Sequence, residues 1–284
     1  MSIEYNEHTV NKISNLVYKH TGIVLGLEKR LLIENRFNRL LNDLSLKTDS
    51  SIEGTLQNIE QSYLQDFINV FTTNKTNFFR EIKQFEFLFK EILPKSFDKG
   101  SYVNIYCSAS STGEEPWSIV ATCEAAKKKA AQKYCNYNIL ATDIDTSILK
   151  RASEGKYQCK DFNKQAFPYW ASPLFLFSDS TSLCRKPENV ESTLNIKTEL
   201  KSKVTFKQQN LMDAELSVPK NDFYDVVFCR NVLIYFSKDD QTKIVRKLLM
   251  KLKKNGYLFL GHSESIDVAL FGLERLNNNI FRKM

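Results

Sequence analysis

"YVNIYCSASSTGEEPWSIVATCEAAKKK", Tyr102 to Lys129, reads as a β-strand, a loop of small residues and a helix. The strand part is apolar and aromatic, and Pro116 falls in the first helical turn, where a missing N–H costs nothing. The stretch "NYNILATDIDTSILKRASEG", Asn136 to Gly155, repeats strand then helix and stops at a glycine. Strand–helix units in succession predict a mostly parallel sheet with helices on both faces.

The same alternation continues towards the C-terminus. Further strands are predicted in "KVTFKQQNL" (203–211), "DFYDVVFCRNVLIYF" (222–236) and "YLFLGHSES" (257–265), with a helix in "DDQTKIVRKLLMKLKKNG" (239–256). The last stretch, "LERLNNNIFRKM" (273–284), predicts an edge strand. A section at about 158–202 interrupts the pattern with Pro168, Pro173 and Pro187, and we interpret it as an insertion with structure of its own.

The N-terminal third has a different pattern. Residues 1–93 contain no proline, and their apolar positions follow helical spacing, as in Ile13, Leu16 and Val17. We therefore expect a small all-α domain at 1–93 and an α/β domain with a doubly wound sheet at 94–284.

Composition limits the function classes. The chain has 284 residues, 42% hydrophobic and 26% charged, with a net charge of +7. We expect a cytoplasmic protein without membrane insertion, because no leader-like start or long apolar stretch occurs. Six scattered cysteines and three distant histidines predict reduced thiols and no metal site. The positive charge permits an acidic protein, a nucleic acid or an anionic membrane surface as partner.

Ligands of doubly wound sheets bind beyond the carboxyl ends of the strands. The loop "SASSTGEEP" (108–116) there lacks the G-x-G-x-x-G pattern of pyrophosphate cradles. Asp143 ends the second strand, where an acid can accept hydrogen bonds from ribose hydroxyls; the alternative is a helix cap, which Asp145 serves equally well. Arg230 and Asn231 end the fourth strand, and Asn210 follows the third. Burying an unpaired Arg230 is costly, so we expect it to face this crevice.

Two N-terminal segments carry further candidates. The stretch "TNKTNFFRE" (73–81) is either a helix cap with two core phenylalanines or a ligand loop at the junction of the domains. In "LEKRLLIENRFNRLLNDL" (27–44), Arg36 and Arg39 share one helix face, which is either an ordinary solvated face or a docking surface.

Together, these motifs resemble the CheR family of chemotaxis receptor methyltransferases. The similarity runs in family order through "TNKTNFFRE", "CSASSTGEEPWSI", "LATDIDTSIL", "QQNL", "DVVFCRNVLIYF" and "GYLFLGHSES". It implies a Rossmann-like methyltransferase sheet with a small antiparallel β-subdomain inserted at about 158–202. It also implies transfer of methyl groups from S-adenosylmethionine to glutamates on the cytoplasmic helices of chemoreceptors, giving methyl esters and S-adenosylhomocysteine.

The resemblance also implies residue roles. Cofactor contacts are expected from Asn74, Thr76, Arg80, Glu115, Asp143, Asn210, Leu211, Cys229, Arg230 and Asn231. We expect Arg80, Arg230 and Tyr235 to act catalytically by orienting carboxylates, with one arginine serving the cofactor and the other the substrate. Arg36 and Arg39 are expected to bind the acidic receptor helices. A glutamate is already ionised at pH 7, so no general base is required.

One departure and two alternatives remain. No glycine occurs between Gly155 and Gly256, so we expect the insertion not to bind a receptor C-terminal peptide; the stretch "SDSTSLCRKPENVEST" (178–193) has no role that the sequence reveals. A nucleic-acid methyltransferase fits the charge, but "CRNV" stands where an Asn/Asp-Pro-Pro-aromatic motif is usual. A non-catalytic cofactor sensor is the other alternative. We expect a monomer and no nucleic-acid partner.

Overall fold

A computed structural model describes residues 5–46, 51–131, 134–158, 167–178, 193–219 and 221–284. The N-terminal part begins with α1, Glu7–Thr21, which starts where the side chain of Asn6 accepts a hydrogen bond from Thr9 N. It ends at Gly22, whose φ of 74° is left-handed. A 3₁₀ turn, Leu27–Lys29, leads into α2, Arg30–Asp43. The next two helices are α3, Ile52–Ser62, and α4, Leu64–Phe71.

These four helices share one apolar core. Their buried faces contribute Val10 and Ile13 from α1, Phe37 from α2, Ile59 from α3 and Phe67 from α4. Because each helix has only one apolar face, the helices bury it by packing on one another.

A second helical run follows the junction: α5, Ile82–Phe87, continues through a π-helical turn, Leu88–Ile92, into α6, Leu93–Phe97. Its apolar residues belong to the core of the sheet, not to that of the four N-terminal helices; Phe85 and Phe97 are examples. The domain boundary expected at residue 93 stays a prediction, but hydrophobic packing favours a boundary before this run.

Seven of the described strands form one sheet. Their bounds are β1 Tyr102–Cys107, β2 Asn136–Asp143, β5 Val204–Gln208, β6 Tyr224–Cys229, β7 Leu252–Leu260, β8 Leu273–Arg275 and β9 Ile280–Lys283. Across the sheet the strands lie in the order β5-β2-β1-β6-β7-β9-β8, and the first five in this order run parallel to one another. Strand order reverses between β1 and β6, so the carboxyl ends of these two strands open the ligand crevice of this fold.

Helices cover both faces of the sheet. These are α7, Glu114–Lys129, and α8, Thr146–Glu154, followed by helices Thr198–Lys201, Lys238–Lys251 and Val268–Phe271. Successive side chains of one strand enter different cores: Phe228 packs with α7, whereas Val227 packs with helix Lys238–Lys251. The predicted α/β class with a doubly wound sheet is confirmed.

Two C-terminal and central segments differ in detail from expectation. The predicted edge strand at 273–284 is a hairpin, in which β9 pairs antiparallel with β7 and only β8 lies at the edge. In the insertion, β3, Lys156–Gln158, pairs antiparallel with β4, Thr193–Asn195. Most of the 178–193 stretch, with Cys184, and residues 159–166, with Cys159, lie outside the described residues.

Two bulk expectations concern thiols and membrane segments. Among the described cysteines, Cys107, Cys123 and Cys229 are free and buried, and Cys135 is also buried. Within the described ranges, no helix has the length and apolar character needed to cross a membrane.

Candidate active site

A cleft opens at the carboxyl ends of the central strands; its empty space, including the part open to solvent, is about 840 Å³. Its wall at the β1 end is the loop with Ser108, Ala109 and Ser111; the backbone N–H of Ser108 donates to Phe228 O of β6 at 2.9 Å and joins the two strand ends. Small side chains here let a ligand approach the backbone closely. The other walls come from the ends of β2, β5 and β6, from the 72–80 segment and from the segment after α1.

Asp143 and Asp145 divide the two roles that the sequence left open. Asp145 caps α8 by accepting from Ser147 N and Ile148 N. Asp143 lines the cleft and accepts from Ser111 N at 2.9 Å and from Asp145 N at 3.2 Å. Burial raises the pKa of Asp143 to about 6, so its carboxylate is ionised at neutral pH and protonates in mild acid.

The junction segment is fixed to the sheet by polar contacts. Asn74 Nδ2 donates to Asp145 Oδ2 at 2.8 Å, and Ser111 Oγ donates to Asn74 O at 3.2 Å. Arg80 Nη1 donates to Lys75 O at 3.0 Å, and both residues line the cleft. This segment is therefore a wall of the cleft as well as a connection.

Arg230 is held by two acids. Its Nη1 donates to Glu115 Oε2, and its Nη2 donates to Glu81 Oε2 at 3.0 Å and to Arg80 O at 2.5 Å. Only 4% of the residue is exposed. The paired carboxylates offset the cost of burying this charge. Burial alone would lower the pKa of Arg230, but Glu115 and Glu81 outweigh it and raise the pKa.

This pairing corrects the expectation that Arg230 offers a free fork to a carboxylate. Both terminal nitrogens are occupied, and Nε, buried at the cleft, is the guanidinium nitrogen without a hydrogen-bond partner among the described residues. Glu81, which the sequence reading did not single out, also accepts from Asn231 Nδ2 at 3.1 Å and from His262 N at 3.2 Å.

A second buried acid shapes the loop after β6. The carboxylate of Glu264 accepts from the backbone N–H groups of Asn231, Val232, Leu233 and Gly261 at 2.6–3.0 Å. Asn231 has a φ of 57°, a left-handed backbone conformation that asparagine tolerates better than most residues, and these bonds hold it there. Burial nevertheless raises the pKa of Glu264. The hydrogen bonds to Glu264 therefore fix the loop that carries Tyr235 into the cleft.

The N-terminal helices close the cleft from above. Thr21 and Ile23, at and beyond the end of α1, line it. Asn210 Nδ2 donates to His20 O at 2.8 Å. Val24 N donates to Tyr235 O at 2.9 Å. The small helical part thus contributes directly to the ligand site.

Most of the predicted site residues meet in this cleft. Its lining includes Asn74, Thr76, Arg80, Glu115, Asp143, Asn210, Leu211, Arg230, Asn231 and Tyr235. Cys229 does not line it: the strand alternation turns this fully buried side chain into the core beneath helix Lys238–Lys251. Burial raises the pKa of its thiol.

The two basic residues of α2 lie outside the lining and differ from one another. Arg36 is half-buried, and its Nη1 donates to Phe71 O at 2.6 Å while Nη2 donates to Thr73 Oγ1 at 3.0 Å. Arg39 is exposed, with Nε 3.8 Å from Asp43 Oδ2. Arg36 therefore supports the 72–80 segment that forms one wall of the cleft. This structural role was not part of the expectation that Arg36 binds the substrate.

The comparisons with known proteins agree with this geometry. Residues 74–277 match the family model described as "CheR methyltransferase, SAM binding domain". The chain belongs to the CheR methyltransferase family. A chemotaxis protein methyltransferase of Klebsiella aerogenes is 35% identical over 90% of this chain and 82% of its own length. The corresponding proteins of Borreliella burgdorferi (33%; 94% and 91%) and Vibrio parahaemolyticus (28%; 100% and 99%) are also similar.

These findings confirm the predicted family and enzyme class: the protein is an S-adenosylmethionine-dependent methyltransferase. The cleft residues fit that cofactor. Asp143 is an ionised acceptor suited to hydroxyl groups, Glu115 is an acid suited to an ammonium group, and Ile144 and Leu211 provide apolar walls suited to a purine. The unpaired Arg230 Nε adds one buried donor at the same place.

Proposed function

We propose that this CheR-family enzyme methylates glutamate side chains on the cytoplasmic helices of chemoreceptors and forms glutamate methyl esters. The observation that carries the proposal is the chemical character of the cleft. Among its described lining residues there is no histidine, and its two carboxylates, of Glu115 and Asp143, are engaged by Arg230, Cys107, Ser111 and Asp145. Such a site suits a nucleophile that needs no deprotonation, and a glutamate, with a reference pKa of about 4.3, is one.

S-adenosylmethionine supplies an electrophilic methyl group on a sulfonium. The residues of the chain have to bind it, exclude water and align the acceptor, and alignment of this kind is worth roughly 7–11 kcal/mol. We assign Asp143 to the ribose hydroxyls, Glu115 to the ammonium group and Asn210 with Leu211 to the adenine. Because Arg230 is paired with Glu81 and Glu115, we assign Arg80 as the arginine that binds a ligand carboxylate.

Tyr235 is the group assigned to the acceptor. It lies on the loop that Glu264 fixes, at the part of the cleft that Ile23 closes. The Tyr235 hydroxyl can donate a hydrogen bond to one oxygen of the acceptor carboxylate. The other oxygen is then free to attack the methyl group. Burial of the acceptor carboxylate removes its hydration, which strengthens both its hydrogen bond to Tyr235 and its attraction to the sulfonium.

The proposal is tested with labelled S-adenosylmethionine and membranes that carry chemoreceptors. We expect label on the receptor that brief alkaline treatment releases, because carboxyl methyl esters are labile to base. Membranes from cells without receptors are the control. Alkali-stable label, or none despite measured cofactor binding, would contradict the proposal.

A further inference from the structure

Three apolar side chains lie exposed beside the mouth of the cleft. Val24 and Leu27 are each 45% exposed and Ile234 is 50% exposed. Val24 is bonded through its backbone to Tyr235, the neighbour of Ile234 in the 3₁₀ turn Leu233–Tyr235. We refer to Val24, Leu27 and Ile234 as the apolar rim.

The rim is fixed in place and lies outside the cofactor site. Lys29 N donates to Gly26 O at 3.0 Å, and its Nζ lies 3.5 Å from Val24 O, which closes the turn that carries Val24 and Leu27. Glu264 fixes the turn that carries Ile234. The rim side chains do not line the cleft, whereas Ile23 next to Val24 does. Apolar groups held at a binding site without burial there are typical of a contact surface for a macromolecule.

Charges of both signs lie near the rim: the carboxylate of Glu28 lies over Gly26 in the turn that carries Leu27, and basic groups lie on the side of the cleft. Lys75 and Arg80 line the mouth of the cleft, and Lys29 reaches the rim itself. Arg36 is close enough to Tyr235 for the two to interact electrostatically. The carboxylates of the cleft, on Glu115 and Asp143, are engaged inside it. An acidic partner with an apolar stripe is complementary to this surface.

We propose that the apolar rim binds the apolar side of the acidic amphipathic helix that presents the acceptor glutamate. Residues three or four positions apart lie on the same side of a helix, about 5–6 Å apart. An apolar residue at that spacing from the acceptor therefore meets the rim when the glutamate enters beside Tyr235. This inference rests on the proposed function and adds a rule for which glutamates are accepted.

The first test compares substitutions at three positions of similar exposure. Ile234→Ser and Val24→Ser remove rim side chains, and Met250→Ser is the matched control, since Met250 is also 50% exposed but adjoins Asp222 at the amino end of β6. With membranes carrying a chemoreceptor, we expect each rim variant to raise KM for the receptor about tenfold. The Kd of S-adenosylmethionine, measured by calorimetry, should stay unchanged in all three variants.

The second test uses two synthetic helical peptides, each with one acceptor glutamate and either leucine or serine four residues away. With the wild-type enzyme we expect the leucine peptide to have about tenfold higher kcat/KM, and with Ile234→Ser the two peptides should be similar. Equal effects of Ile234→Ser and Met250→Ser would overturn the inference. The inference would also be overturned if the wild-type protein self-associated, as shown by a molecular mass that rises with protein concentration, and Ile234→Ser abolished this association. A second copy of the chain would then occupy the rim. Failure of the wild-type enzyme to methylate receptors at all would instead refute the proposed function.

Discussion

Substitution of Arg230 by alanine tests whether this arginine holds the site together. The change leaves the carboxylates of Glu81 and Glu115 facing each other, each with a side chain 11% exposed, and leaves the carbonyl of Arg80 without its donor. Removing one partner of a buried ion pair costs about 3–5 kcal/mol. For a chain of this size, a loss of that order lowers Tm by about 5–8 °C.

The pH dependence of the free energy of unfolding makes the test specific. Burial raises the pKa of Glu81, but Arg230 and hydrogen bonds from Asn231 and His262 outweigh it, so the pKa is lowered. A lowered pKa stabilises the fold above the ordinary glutamate range and loses this effect as pH falls through the folded pKa. Without Arg230, burial dominates and raises the pKa. The variant should therefore gain stability between pH 7 and pH 5.

The assay is urea unfolding followed by the fluorescence of Trp117 and Trp170, which are both buried. A variant that combines Arg230→Met with Glu81→Gln and Glu115→Gln is the control; it removes all three charges and should recover most of the lost stability. If Arg230→Ala lost less than about 1 kcal/mol, or became less stable on mild acidification, the structural role of Arg230 would be wrong.

Three other predictions concern binding and turnover. Because the pKa of Asp143 is about 6, the Kd of S-adenosylmethionine should rise about tenfold per unit below pH 6, and calorimetry on Asp143→Asn should show weak binding without this pH dependence. Tyr235→Phe should lower kcat about 10- to 100-fold with an unchanged cofactor Kd. The control Tyr134→Phe, at an 88% exposed position, should change neither quantity. Equal kcat values for the two variants would contradict the role of Tyr235 in binding the acceptor. Arg36→Glu should lower stability by about 1–3 kcal/mol and weaken cofactor binding. Arg39→Glu should slow only receptor methylation, less so at high salt, and equal stabilities of these two variants would argue against the support that Arg36 gives.

The elements and contacts that depend on neighbouring residues were predictable. The strand–helix alternation identified the sheet, and it placed Asp143 and Asp145 together between the second strand and the next helix. Either residue could cap that helix by sequence, and the structure assigns the cap to Asp145. Cys229 was misplaced for an equally local reason. Strand alternation turns each second side chain to the opposite face, and the position of Cys229 next to Arg230 in the motif hid this.

Contacts between distant segments were not predictable in this way. Thr21 and Ile23 line the cleft, where Asn210 bonds to the end of α1 from 190 positions away and Val24 bonds to Tyr235. Glu264 accepts from the Asn231 loop over more than 30 positions, whereas the sequence analysis placed Glu264 only in the predicted strand "YLFLGHSES". A motif shows that a residue is placed near the crevice, but it does not show which partner its charge has.

Arg230 illustrates why that difference matters for mechanism. An arginine at a strand end in a methyltransferase can be assigned to a substrate carboxylate on chemical grounds alone. In the folded chain, however, Glu81 and Glu115, from separate segments, converge on the guanidinium of Arg230. Because all three charges are buried, their pairing with one another is favoured over pairing of Arg230 with a ligand. The cofactor and the acceptor therefore meet a site in which Arg230 is already committed. The proposed role of binding a ligand carboxylate therefore goes to Arg80, whose contact to Lys75 O lies within its own loop and can be exchanged for a ligand without breaking a buried ion pair.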